Sequence, residues 1–277
     1  MKKFLVFFSL FVIFISLGDN SASAAKIDDA KKFITISKSD YVLTQSEKEQ
    51  VASFGEQLAN ALKNAEINEY ETVISDFSSN NENPLEEKLV RILNDKVEAE
   101  IEKNVLKSGE KNVNVEIDQS LKESVTRVYN INEKNILILT PTHIEISQLE
   151  EDKNENGIGI QATSTTSGTA THTFYNNFGN RLMSISVTAK FNYNGSKATY
   201  HSNFDYWYDR AFLSIWQVSN WRGWREESGT SYQARASGDF HMGLEVGGVG
   251  LVIDDVYIRV TLLCDKNGNL YRTHYYN

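Results

Sequence analysis

The sequence predicts an α+β N-terminal domain followed by an all-β antiparallel domain, a sandwich or flattened barrel. Three observations carry this. Apolar residues recur with helical spacing up to about residue 105, then alternate with period two almost to the C-terminus. Charge changes with the pattern: residues 26–155 hold 16 Lys and Arg against 27 Asp and Glu, whereas residues 156–277 hold 10 against 9. Between them an acidic run, EEDKNENG, leads into QATSTTSGTAT, the composition of an exposed connector over 151–168. The expected domains are therefore 26–150, acidic and serving as a pro-region or solubilising companion, and 169–277.

Ahead of both lies a segment with the grammar of export. Lys2 and Lys3 precede an apolar run from Phe4 to Leu17 and the small-residue site Ala22-Ser23-Ala24, so residues 1–25 read as a secretory signal peptide cut near Ala24 or Ala25. The run is too short for a spanning helix, which needs roughly 20 apolar residues. Cys264 is the only cysteine, so no internal disulfide can form even in an oxidising compartment and stability must come from packing.

In order, Thr44 and Glu47 have the spacing of a capping box and open a helix whose buried face is Val51, Phe54, Gly55, Leu58, Ala61 and Leu62. A shorter helix carries Tyr70, Val73, Ile74 and Phe77. Asn83-Pro84 with Glu86 opens a second long helix, with Leu85, Leu89, Ile92, Leu93, Val97, Ile101 and Val105 inward and Gly109 as its stop. Strands follow at VNVEI, SVTRVYNI, NILIL and HIEIS. In the second half, Asn194-Gly195 marks a two-residue hairpin loop pairing Phe191 with Ala198 and Ile185 with Phe204. SYQARASGDFHMGL repeats the alternation, and a hairpin at Asn267-Gly268 is expected to pair Val260 with Tyr275 and Cys264 with Tyr271.

Residues 204–225, FDYWYDRAFLSIWQVSNWRGWR, hold all four tryptophans. Phe204, Tyr206 and Tyr208 have core parity; Trp207 points the other way; Phe212, Leu213, Ile215, Trp216 and Val218 suggest a strand covered on both sides. NWRGWR reads as a loop presenting Trp221, Arg222, Trp224 and Arg225, residue types enriched where proteins grip partners. The bland alternative folds both rings back over one end of the sheets.

No catalytic residue, metal site or cofactor is expected. DKNENGIGIQAT starts like a calcium loop but has Thr163 where the closing Glu belongs. VGGVG opens no helix and lacks the following Lys-Ser or Lys-Thr of a phosphate loop. His201 and His241 fall on polar faces without a ligand pair, Asp254 and Asp255 point to opposite sides of a strand, and Cys264 is packing. Nucleic acid is excluded as a partner by the acidic balance.

The turn Tyr175–Gly179, the hairpin Phe191–Ala198 and the turn Cys264–Asn269 together resemble a loose group of secreted β-rich exoproteins of bacilli, some of them bacteriocin-like. The likeness covers residues 160–277 and implies no site residue. The reading that follows is a secreted, extracellular, non-enzymatic protein acting on a cell-envelope component, be it membrane, glycan or surface protein, as an antimicrobial. The alternatives are a carbohydrate or cell-wall binding module using Trp221 and Trp224 and, less favoured, a β-barrel pore former or a hydrolase.

Overall fold

A computed structural model describes residues 33–102, 113–152, 164–211, 216–246 and 250–276. Residues 1–25, Val105 and Gly109, most of the connector and of its calcium-like run, Phe212 to Ile215 and Gly247 and Gly248 of VGGVG lie outside them.

Strand β1 (Phe33–Ile36) precedes helix α1 (Gln45–Lys63), a 3-10 turn at Ile67–Glu69, α2 (Tyr70–Asn80) and α3 (Pro84–Glu102). The capping box forms as the spacing predicts. The Thr44 hydroxyl accepts from the Glu47 amide at 3.2 Å and the Glu47 carboxylate accepts from the Thr44 amide at 2.8 Å. That carboxylate also meets Lys88 at 3.2 Å and Arg91 at 2.9 Å, tying α1 to α3. Val51, Phe54, Leu58 and Leu62 of α1 are buried, as are Leu85, Leu89 and Leu93 of α3.

Then come β2 (Val113–Ile117), α4 (Gln119–Val125), β3 (Arg127–Asn130), β4 (Asn135–Leu139) and β5 (His143–Glu151). The expected strand SVTRVYNI is split: Asp118 caps α4 through its carboxylate, which accepts from the Ser120 amide at 2.7 Å, so Ser124 and Val125 end a helix rather than start a strand. The remaining strands are β6 (Ser164–Asn176), β7 (Arg181–Tyr193), β8 (Ala198–Arg210), β9 (Gln217–Ser228), β10 (Ser231–Val246), β11 (Gly250–Cys264) and β12 (Leu270–Tyr276). The helix-rich start and the β-rich, mostly antiparallel remainder match the expected order of an α+β region followed by a β-rich one.

The strands form two six-stranded sheets. One is the meander β3-β4-β5-β6-β7-β8; the other runs β1-β2-β11-β10-β9, with β12 sharing one edge of β11 with β2. Each sheet draws strands from both sides of residue 150. β5 pairs with β6 from His143 opposite Asn176 to Glu151 opposite Gly168, and β2 pairs in parallel with β11 from Gly250 opposite Val113. The change in charge near residue 150 therefore does not mark a boundary between sheets.

Side chains of the two sheets meet between them. Phe191 lies against Tyr232 with ring centroids 6.3 Å apart, and Tyr206 against Trp221 at 5.8 Å. On the far face of the meander the α1 backbone approaches β3 at Gly55, where an added Cβ would fall within 2.2 Å of the Tyr129 ring, and Tyr129 Oη donates to the Val51 carbonyl at 3.0 Å. β4 and β5 are thus covered on both faces, β5 being buried from His143 to Leu149, whereas β3 leaves Val128 exposed.

Two registers differ from expectation. The first hairpin closes through four residues because the Asn194 side chain accepts from the Ser196 and Lys197 amides, both at 3.0 Å, so Phe191 opposes Tyr200. Further on, a bulge with Asn203 at φ 56° puts Ile185 opposite Tyr208. Outside the bulge at Lys190 every displacement is even, so sidedness survives: Met183, Ile185, Val187, Ala189 and Phe191 are all buried. The last hairpin is displaced by one. Asp265 Oδ1 accepts from the Asn267 amide at 2.8 Å and the Asn269 amide at 2.9 Å, the loop takes five residues, and Cys264 opposes Leu270. An odd displacement exchanges the faces of β12, so Tyr271 and Tyr275 point outward while Arg272 and His274 point between the sheets.

Candidate functional site

NWRGWR is not a loop but the middle of edge strand β9, kinked where Asn220 adopts φ 53°. Alternation along a strand divides the four expected partner-binding residues into two pairs. Trp221 and Arg225 turn toward the other sheet. Trp221 packs on Tyr206, on Tyr208 at 5.2 Å and on Phe240 at 6.3 Å, while the Arg225 guanidinium lies over Tyr200 at 3.9 Å. Gly223 is required between them, since an added Cβ would come within 2.4 Å of the Tyr206 ring. Trp216 is fully buried, and Trp207 is 41% exposed on the opposite side of the meander.

Arg222 and Trp224 face outward and belong to a larger surface that register assembles across four strands. One row is Arg222, Ser237, Arg259 and Tyr275; the next is Trp224, Arg235, Thr261 and Thr273; a third is Glu226, Gln233, Leu263 and Tyr271. With neighbouring strands about 4.8 Å apart, each row spans roughly 14 Å. Within this face Trp224 has the Arg222 guanidinium 5.4 Å and the Arg235 guanidinium 5.8 Å from its ring, and it donates Nε1–H to Glu226 at 3.3 Å. Arg235 is ion-paired to Glu226. At the other side Arg259 lies 5.0 Å over Tyr275, whose ring also meets Tyr257 at 6.5 Å. Tyr271 and Tyr275 are 48% and 45% exposed.

Rings held by stacked guanidiniums lose little conformational freedom on binding, so such a face can grip a partner through flat apolar contact and charge at once. The sequence reading missed Arg235, Arg259, Tyr257, Tyr271 and Tyr275. Arg235 was legible on the polar side of its strand, but the two outer tyrosines were turned inward by the register expected at Asn267-Gly268.

A second polar constellation is buried between the sheets. Glu145 accepts from His143 Nε2 at 2.7 Å and from His172 Nε2 at 2.8 Å, and the Thr142 hydroxyl lies 2.8 Å from His143 Nδ1. Burial opposes ionisation of Glu145, but the hydrogen bonds from the two histidines outweigh it and hold the carboxyl far below its usual range. The His172 ring is 4.8 Å from His274, whose pKa is pushed down to about 4 by burial first and by the neighbouring His172 second. His201 and His241 are exposed, as their faces predicted. Cys264 is buried, and burial with the adjacent Asp265 charge pushes its thiol up to about 12.

Among the described residues no group of three His, Cys, Asp or Glu is placed to hold a metal ion, and no helix is long and apolar enough to cross a membrane. No family model matches the chain, and neither a curated protein nor a solved structure is significantly similar to it.

Proposed function

We propose that this is an exported, non-enzymatic protein that binds a cell-envelope component, with other bacteria as the target population, and that its two sheets act as the layers of a sandwich presenting the outer face of β9–β12. The observation that carries the reading is the set Arg222, Trp224, Arg235, Arg259 and Tyr275 on one sheet face, with Arg222 and Tyr275 exposed and the other three half-buried, aligned in adjacent rows by the strand register. The Lys-led apolar segment supports export, and the resemblance to bacteriocin-like exoproteins supports an antagonistic role. Stacking of glycan rings on Trp224, Tyr271 and Tyr275 is the second reading, favoured by the exposure of the two tyrosines.

Co-sedimentation of the mature chain with isolated Gram-positive envelopes tests the proposal. The wild type should pellet saturably, and Trp224→Ala with Tyr275→Ala should lower the bound fraction by at least about tenfold, the loss of one to two anchoring rings, without changing the melting temperature appreciably. Absence of binding by the wild type, or equal binding by the double variant, overturns it. Tryptophan fluorescence that moves with soluble glycan fragments selects the glycan reading.

A further inference from the structure

A cavity of about 420 Å³ lies where α4 meets the two sheets, and the residues of the binding face play no part in it. Its walls include Ile117 from β2, Val128 and Ile138 from β3 and β4, Phe174 from β6 and Val256 from β11, with Lys122 and Glu123 from α4. Polar lining is concentrated in Thr140, Thr142, His143, Glu145 and His274. Phe174 is clamped from three sides, with ring centroids 4.8 Å from His172, 5.7 Å from His143 and 5.2 Å from Trp216. The cavity is therefore built on a fixed ring and a fixed hydrogen-bonded carboxylate.

Apolar walls around a few convergent polar groups are the arrangement of small-molecule sites, and the volume falls in the range that takes a ligand of roughly 10–20 heavy atoms. Lys122 and Glu123 bring opposite charges to the α4 wall, and the polar groups of the floor are specific in sign. Glu145 is negative and fully enclosed, and at neutral pH His274 carries no charge. A head that donates hydrogen bonds is matched to this floor, whereas an anionic head would be placed beside a desolvated carboxylate and repelled by it.

We propose that this cavity binds a small molecule with an apolar body packed on Val128, Ile138, Phe174 and Val256 and an amine head directed at Glu145. The site would let an exported protein carry or sense a small amphipathic amine independently of its outer face. N-phenyl-1-naphthylamine, apolar with one N–H, serves as the probe on the full mature chain. Its fluorescence should rise saturably, and octylamine should displace it at a concentration at least about tenfold below that needed with octanoate, a difference of about 1.4 kcal/mol. Val128 is 60% exposed at the cavity wall. Val128→Trp should thus reduce probe binding by at least about tenfold while the melting temperature and envelope binding stay as in the wild type. No saturable probe signal, unchanged binding by Val128→Trp, or octanoate competing as well as octylamine would each overturn the assignment. Loss of envelope binding in Trp224→Ala with probe binding intact keeps the two proposals separate.

Discussion

His274→Gln should remove a specific part of the protein's acid sensitivity. In the fold His274 points between the sheets against His172, and its pKa of about 4 lies well below its ordinary 6.5. A histidine held neutral by burial binds its proton more weakly folded than unfolded, so stability is full above pH 6.5 and is lost as pH falls from there through the folded value. Each pKa unit is worth about 1.36 kcal/mol, so the loss between about pH 7.5 and pH 4.5 amounts to roughly 2.5 kcal/mol. Glutamine cannot titrate, and any packing cost of the substitution is the same at both pH values. Urea unfolding of wild type and variant at the two pH values therefore isolates the histidine: the stability gap between them should change by roughly 2.5 kcal/mol in the variant's favour on acidification. Glu86 acts oppositely in the same window. Its pKa is raised to about 7 by burial and the nearby Glu82 charge, so its contribution weakens as pH rises. This is why the difference, not the wild-type curve, is the test. A gap constant to within about 0.5 kcal/mol would refute the buried, neutral placement of His274.

Gly55→Ala should destabilise the fold by about 1–2 kcal/mol despite the better helix propensity of alanine, because the new Cβ drives into the Tyr129 ring. In a Tyr129→Leu background the same change should become neutral or stabilising, and chemical unfolding of the four proteins checks the sign reversal. A fragment of residues 156–277 should fail to unfold cooperatively, since β6 and β11 would lose β5 and β2 along their edges; a sharp thermal transition with native circular dichroism would show that the acidic half is dispensable. Cys264 should resist a thiol reagent in the native state and react fully once denatured, with thiol titration as the readout.

The helices were legible because their signals are local. Thr44 with Glu47, and Asn83 with Pro84, act within one turn, and the stripes behind them repeat at helical spacing. The central strands of the second half were legible for the same reason, and their buried faces survived a misplaced turn because the Asn194 loop displaces pairing by an even number. At Asp265 one side chain holding two amides changes the count by one, and nothing in the neighbouring strand pattern opposes it: Tyr271-Arg272-Thr273-His274-Tyr275 has aromatic or long side chains on both faces. That single residue decides that Tyr275 joins the outer surface and His274 the interior. NWRGWR has the look of a loop in the sequence because large rings beside glycine are unlike sheet interior. Gly223 is there because Tyr206 of the facing sheet fills the space of its side chain.

By itself the sequence determined the change from helix to strand, the exclusion of an internal disulfide and the alternation of buried and wet residues, set by composition and by residues within a few positions of each other. Only the tertiary structure decided that both halves share both sheets, that Arg222 and Trp224 part company with Trp221 and Arg225, and that Glu145 lies between His143 and His172. Pairing between distant strands depends on how many residues each intervening turn consumes and on which side chains fit across the interior. Those are properties of the folded pairings and leave no periodic mark along the chain.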